Sequence, residues 1–226
     1  MKLRLNPTIP ILCALALRVL APAAALCLLL GLGACALPDK PVRPSVYDFG
    51  AGAEPANPMQ PALRATIALA DVDANVALDS TAVLYRLEYA DVQQPRPYAS
   101  ARWSMAPALL LQQRLRERLG AKGVVLKPAQ AAMLRGGDEA SPWLLRVELE
   151  EFSQLFHSPQ HSVGLLRLRA TVTQATAQGD KLLGQRSISV QRPASQPDAA
   201  GGVRALTQAS DAAVDELLQW LMTLRP

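Results

Sequence analysis

The sequence predicts an α+β fold: a largely antiparallel β-sheet with two main amphipathic helices packed on one face. Two neighbouring segments announce the sheet. In 143–152, Trp143, Leu145, Val147 and Leu149 alternate with Arg146, Glu148 and Glu150, and in 166–173, Leu166, Leu168, Ala170 and Val172 alternate with Arg167, Arg169 and Thr171. This is the period-two pattern of strands with one buried face. The helices declare themselves by another period: Ala108, Leu111, Leu115 and Leu119 in one segment, and Val203, Leu206, Ser210, Ala213, Leu217, Trp220 and Leu224 in another, recur every three or four residues. The order of strands, helix, strands, helix is that of a sheet covered on one side.

Ahead of these elements, residues 36–61 carry Pro38, Pro41, Pro44, Pro55, Pro58 and Pro61 with Gly50 and Gly52. That composition favours an extended, semi-rigid tether, assigned to 35–61. Only Val46-Tyr47-Asp48-Phe49 interrupts it, short and aromatic enough to add an edge strand. A single domain over 62–226 then begins, with its folded body starting near Leu63. Leu63 to Val72 and Thr81 to Tyr89 are rich in β-branched and apolar residues and read as strands, separated by Asp73-Ala74-Asn75 as a turn. Gln93 to Pro97 breaks the pattern, and Tyr98 to Trp103 leads into the first main helix. Pro107 sits in that helix's first turn, where a missing N–H costs nothing, and Gly120 stops it. Val124-Val125-Leu126 is a short strand ended by Pro128, followed by one or two helical turns over Ala129 to Leu134.

The alternating pair fixes its own register. With Ser158-Pro159 as a hairpin tip, paired residue numbers sum to 317, so Leu149 faces Leu168, Val147 faces Ala170 and Leu145 faces Val172. On the wet face Glu150 then meets Arg167 and Glu148 meets Arg169, each pair worth about 0.2–1 kcal/mol. Gln178-Gly179-Asp180-Lys181 forms the next hairpin loop, a strand runs from about Leu182 to Gln191, and Pro193 ends it. A flexible stretch from Ala194 to Gly202 precedes the terminal helix.

At the N-terminus, Lys2, Arg4 and Arg18 precede an apolar run from Val19 to Leu32, which closes on Leu32-Gly33-Ala34-Cys35. The tetrapeptide resembles the lipobox of a bacterial lipoprotein. That resemblance implies that residues 1–34 are a cleaved signal peptide, that the Cys35 thiol takes a diacylglyceryl group, and that the freed amine is acylated, typically with palmitate. One acyl chain binds a bilayer marginally, whereas two or more hold durably. The competing reading, an uncleaved helix over 8–34, is opposed by Pro10, Arg18 and Pro22. Cys13 and Cys27 follow Leu12 and Leu26, where processing wants a small residue. Ala36 and Leu37 follow Cys35 in place of the aspartate that retains such lipoproteins in the inner membrane, which implies the outer membrane and a periplasm-facing domain.

Discarding residues 1–34 leaves 192 of 226, enough for one domain and a tether. It also takes three of the 23 basic residues and none of the 19 acidic ones, so 20 cations face 19 anions at a formal charge of +1. The basic character of the whole chain belongs to its leader, and a nucleic-acid partner loses its support. With Cys35 acylated, the mature chain has neither a free thiol nor a disulfide, and packing must stabilise it.

Candidate sites are sparse. His157 and His161 flank the hairpin tip, but two imidazoles fall short of the three or four protein ligands of a stable zinc site, and they read as solvated turn residues. Glu148, Glu150 and Glu151 could serve acid–base work, yet two of them already have cross-strand arginines. A serine triad lacks its base and its Gly-x-Ser-x-Gly context, and no phosphate-cradling glycine loop occurs. No catalytic residue, metal or cofactor is therefore expected. Arg114, Arg116 and Arg118 read as the solvated face of the first helix. Arg114 and Arg118 are the candidate contacts to an acidic partner or lipid headgroups, and as such their reversal to Glu would leave the domain folded. Trp103 and Trp220 read as core anchors.

The lipobox, the Pro-rich lead with Val46-Tyr47-Asp48-Phe49, the strand Leu84-Tyr85-Arg86-Leu87, and Tyr98, Trp103 and Pro107 opening onto Leu109-Leu110-Leu111-Gln112-Gln113-Arg114-Leu115 together resemble the ABC-type transport auxiliary lipoproteins, the PqiC-like family. The resemblance covers most of 45–224. It implies a non-catalytic, outer-membrane-anchored component of an ABC/MCE lipid-transport system, docking the periplasmic MCE-domain protein, with phospholipid as the transported class. A homo-oligomer is left open. The alternatives are an assembly or plug lipoprotein of a lipopolysaccharide-export or secretion machine, or a periplasmic lipid carrier, which would need a large apolar cavity.

Overall fold

The computed structural model describes residues 43–52, 63, 65–133 and 141–225. The expected signal peptide, Cys35, most of the expected tether and Leu134 lie outside the described residues. Among the described residues, nine strands form one mixed sheet: β1 (Ser45–Tyr47), β2 (Ile67–Leu69), β3 (Asp73–Ala74), β4 (Ala82–Leu87), β5 (Asp91–Trp103), β6 (Val125–Leu126), β7 (Trp143–Ser158), β8 (His161–Thr176) and β9 (Gly179–Pro193). The helices are α1 (Pro107–Gly120), the short α2 (Pro128–Met133) and α3 (Ala199–Thr223). The predicted α+β class is the observed one.

The long ladders are antiparallel, β7 with β8 and β8 with β9. The other edge of β7 is shared by three short strands placed one after another in parallel: β2 against 143–145, β3 against 148–149 and β4 against 154–156. Asp73-Ala74, expected as a turn, is thus a strand. Their side-by-side use of one edge spares β2 and β4 from pairing with each other, so a turn between them is not needed. β5 folds back antiparallel on β4 and runs unbroken through Pro95 and Pro97, where a break was expected. Beyond Ala101 its free side carries β1, but residues 91–99 are an edge, where proline's missing N–H removes no ladder bond.

The predicted hairpin register holds through its first half: Leu145 pairs with Val172, Val147 with Ala170, Leu149 with Leu168 and Glu148 with Arg169. A bulge at Glu150 then shifts it, and Glu151 faces Arg167 while Phe152 faces Leu166. The extra residue restores the alternation that Glu150-Glu151 interrupts, so that Phe152, Gln154 and Phe156 continue on the helix-covered face begun by the odd-numbered residues. The bulge also redistributes charge. Glu150 takes both Arg167 (3.3 Å) and Arg169 (2.6 Å), and Glu151 takes Arg86 (3.1 Å). Glu148 keeps its place opposite Arg169 but not the expected ion pair.

Both main helices contribute to the core on that face. Leu111, Leu115 and Leu119 of α1 and Leu206, Ala213 and Leu217 of α3 are fully buried with Leu145, Leu149, Leu166, Leu168 and Ile188 of the sheet. α3 begins four residues earlier than its apolar period suggested, because Asp198 caps it: its carboxylate accepts from Gly201 N–H at 2.7 Å. The stretch expected to be flexible to Gly202 is therefore helical from Ala199. At Gly164 the helix backbone lies on the sheet so closely that a Cβ there would sit 2.5 Å from Ala205 C and Leu206 N.

The body starts earlier than Leu63. Residues 43–52 pack on it, with β1 on the β5 edge, as the aromatic segment suggested, and Phe49 buried in the core. Phe49 stands edge-on to Trp103, centroids 5.8 Å apart, and 6.0 Å from Phe152. Burying an aromatic ring beside two others outweighs the local preference of a Pro- and Gly-rich segment for solvent.

Gly164→Ala is expected to destabilise the domain by about 1–3 kcal/mol in urea unfolding, since backbone rather than a flexible side chain must move. Gly120→Ala, whose added Cβ would meet open space at the end of α1, is expected to stabilise it by about 0.4–1 kcal/mol.

Candidate functional site

Among the described residues, the largest concentration of interacting charge lies where α1 meets α3. Arg114 and Arg118 on α1 and Asp211 and Asp215 on α3 are each four residues apart, one helical turn, so both pairs present their charges along one stripe. Arg114 pairs with Asp211, and Arg118 with Asp211 at 3.7 Å and Asp215 at 3.3 Å. The ladder ascends both helices in the same sense. Glu117 adds a contact to Arg114 Nε at 3.4 Å. Arg114 Nη2 donates to the Phe49 carbonyl at 2.6 Å, and its guanidinium lies 5.8 Å from the Phe49 ring centroid.

The arginines expected on the solvated face therefore have separate fates. The Arg114 side chain is only 4% exposed and committed on every side, whereas Arg118 is 25% exposed. The reason is Asp211: with a carboxylate facing it from α3 and a carbonyl from the 43–52 segment, the guanidinium exchanges water for charge-assisted bonds. Arg114 is a buried fastener between three segments. Beside it is a polar cleft of about 90 Å³, lined by Asp48, Phe49, Gly50, Leu110, Gln113, Arg114 and Glu117. That volume suits a few waters or a small polar group, since water occupies about 30 Å³.

A second polar group binds α1 to the sheet's parallel edge. Gln112 is buried, accepts from Val72 N–H at 2.8 Å and donates to Asp71 at 2.9 Å. A third lies under the start of α3, where Tyr98 donates to Gln154 Oε1 at 2.8 Å and Gln154 Nε2 donates to the Ser162 hydroxyl at 2.8 Å. Burial, then Tyr85 and Asp198, push the Tyr98 phenol well above its ordinary range. The Ser162 hydroxyl is thus partnered by an amide, which takes no proton.

Trp103 and Trp220 are buried. The two histidines stay apart on the exposed hairpin: His157 Nδ1 meets Glu88, and His161 Nδ1 lies 3.1 Å from the Ser158 hydroxyl. Among the described residues no group of three or more His, Cys, Asp or Glu is placed to hold a metal ion. Sequence reasoning missed Phe49, Gln112 and Gln154. The Asp211/Asp215 pair was legible in principle, as the i, i+4 counterpart of Arg114/Arg118.

A family model described as the ABC-type transport auxiliary lipoprotein component matches residues 47–217, from the end of β1 into α3 and across the whole charged seam. The chain belongs to this family. Its place among ABC-type transport auxiliary lipoproteins makes it a lipoprotein accessory to transport. Among the described residues no helix is long and apolar enough to cross a membrane. Protein XCC0632 from Xanthomonas campestris superposes with a TM-score of 0.63 at 19% identity, over 79% of this chain and 95% of that one. A second, uncharacterized protein superposes with a TM-score of 0.56 at 14% identity, over 79% and 99%. These likenesses show the fold. No curated protein matches the chain.

Arg114→Glu would set a carboxylate against Asp211 and Glu117 and forfeit the Phe49 carbonyl bond. Urea unfolding is expected to show a loss of about 3–5 kcal/mol, against less than about 0.5 kcal/mol for Arg116→Glu, whose guanidinium takes no part in the seam. Tyr98 makes a pH-dependent prediction. Its phenol holds its proton more tightly folded than unfolded, so above the ordinary value of 10.0 the unfolded state binds fewer protons and stability falls as pH rises. Tyr98→Phe is expected to cost about 1 kcal/mol near neutral pH through the lost bond to Gln154, and to flatten that alkaline decline.

Proposed function

We propose that this lipoprotein is the outer-membrane-anchored, non-catalytic accessory of an ABC/MCE-type lipid-transport system, docking the periplasmic MCE-domain protein whose inner-membrane ABC transporter moves phospholipid or a related lipid. Family membership over 47–217 carries the reading. The Leu32-Gly33-Ala34-Cys35 sequence supports a lipid anchor at Cys35, and Ala36 in place of aspartate supports the outer membrane. The interior fits an adaptor, since Arg114, Gln112 and Gln154 fasten one element to another.

The test is affinity recovery of the tagged protein from detergent-solubilised envelopes after cross-linking. MCE-domain protein with its permease and ATPase is the expected catch. Secretion or lipopolysaccharide-export subunits without any MCE protein would overturn the proposal.

A further inference from the structure

The two long edge strands of the sheet are built differently. β5 carries Pro95 and Pro97 with Arg96 between them, residues that keep an edge from pairing with another chain. β9 carries neither proline nor charge from Ser187 to Gln191. Among the described residues it pairs with β8 alone. From Gly184 to Arg192 that ladder runs without a shift, bounded by an irregularity at Leu183 and by Pro193.

The atoms on the outer edge of β9 follow from one bond. Ala194 N–H donates to the Ser162 carbonyl at 2.9 Å, and this pair continues the numbering of the β8/β9 ladder. Along an antiparallel strand, residues that exchange bonds with a neighbour alternate with residues whose N–H and C=O point away from it. The even-numbered residues of 184–192 therefore bond to β8, and Gln185, Ser187, Ser189 and Gln191 turn their N–H and C=O outward. Arg192 Nη1 accordingly reaches the Gln191 carbonyl, at 3.1 Å. Gln185, Ser187, Ser189 and Gln191 are exposed on the face opposite the helices, while Ile188 and Val190 are buried beneath α3.

These four outward residues read Gln-Ser-Ser-Gln, the same in both directions about Ile188. A two-fold axis needs such a self-complementary strand. A second β9 laid antiparallel and centred at Ile188 sets Gln185 against Gln191 and Ser187 against Ser189, so that outward N–H and C=O groups face each other throughout. Facing serines add cross-strand hydrogen bonds. Gln185, whose Nε2 donates to Thr171 at 2.9 Å, keeps its Oε1 for the amide of the facing Gln191. The charges agree with this centring. Arg192 meets Gly184, and Arg186, already bound to Glu216 at 2.9 Å, meets Val190. Centring at Ser189 instead would set Arg186 against Arg192.

We propose that the outer edge of β9 pairs with the same edge of a second copy of this chain, antiparallel and centred at Ile188, joining two sheets into one. The proposal is independent of the lipid anchor and of the transport partner.

The experiment is sedimentation equilibrium of the full chain in density-matched detergent over a concentration series, with far-ultraviolet circular dichroism to monitor the fold. The mass of two chains is expected. Ser189→Pro removes an outward N–H that the β8 ladder does not use. Ser187→Glu/Ser189→Glu sets like charges against each other across the axis, while within each chain the new carboxylates stand opposite Arg169 and Arg167. Each variant is expected to weaken association about tenfold or more, and the second keeps the test decisive if proline disturbs the fold. Ser187→Lys/Ser189→Glu is expected to retain the doubled mass, because each Lys then faces a Glu of the other copy. A wild-type chain that stays single throughout, or one whose association is undiminished by Ser187→Glu/Ser189→Glu, overturns the proposal. Loss of pairing in folded Ser187→Lys/Ser189→Glu overturns the centring at Ile188.

Discussion

The hydrogen bonding of β7 along both edges is the constraint on which the remaining structure depends. One edge is occupied over its length by β8, and the other is divided among β2, β3 and β4. Segments far apart in sequence therefore acquire a common level and direction from a single strand. The bulge at Glu150 is what lets that strand serve two ends. Without it, a one-residue slip would turn Phe152, Gln154 and Phe156 to the solvent face. With it, Phe152 meets Phe49 and Trp103, and Gln154 meets Tyr98 beneath the start of α3. The same extra residue places Glu150 between two arginines on the outer face, so one backbone irregularity determines both the aromatic cluster and the charge pattern.

The helices are fastened to this frame by polar groups at their margins. Apolar packing of α1 and α3 is nondirectional and would tolerate sliding, whereas Gln112 on Val72 and Asp71, and Arg114 on Asp211 and Phe49, demand particular atoms at particular places. Phe49 is the joint between the two kinds of interaction. Its ring belongs to the aromatic core and its carbonyl to Arg114, which ties the entering chain to both helices. Desolvating Arg114 is costly, and three acceptor groups offset that cost; such a site is organised as a unit and fails as one.

The sheet's long ladders and the terminal helix were legible because their signals are local and redundant: alternation and opposite charges specify one register for Leu145, Val147 and Leu149, and six positions of α3 agree on one face. The short elements were not. β3 has two residues and owes its existence to the free edge of β7, and β5 crosses two prolines because that side is unpaired. Phe49 carried the opposite local signal, lying between proline and glycine residues, and its packing against Trp103 and Phe152 explains its burial. For Arg114, helical spacing assigned the side chain to solvent, because a single helix read alone does not reveal that Asp211 stands across from it. The seam becomes visible when two i, i+4 pairs of opposite sign are matched between helices.

These features bear on how an anchored body would carry load. β1 lies along β5, so a pull applied along β1 would load its hydrogen bonds in shear, together with the Ser104 N–H bond to the Tyr47 carbonyl at 2.7 Å. Three residue pairs alone would be a weak fastening. Immediately after them, however, Phe49 is buried and its carbonyl held by Arg114, so displacing β1 requires extracting an aromatic ring and leaving a buried guanidinium short of an acceptor. The position of Phe49, two residues past the strand, turns a marginal edge strand into a secured point of attachment.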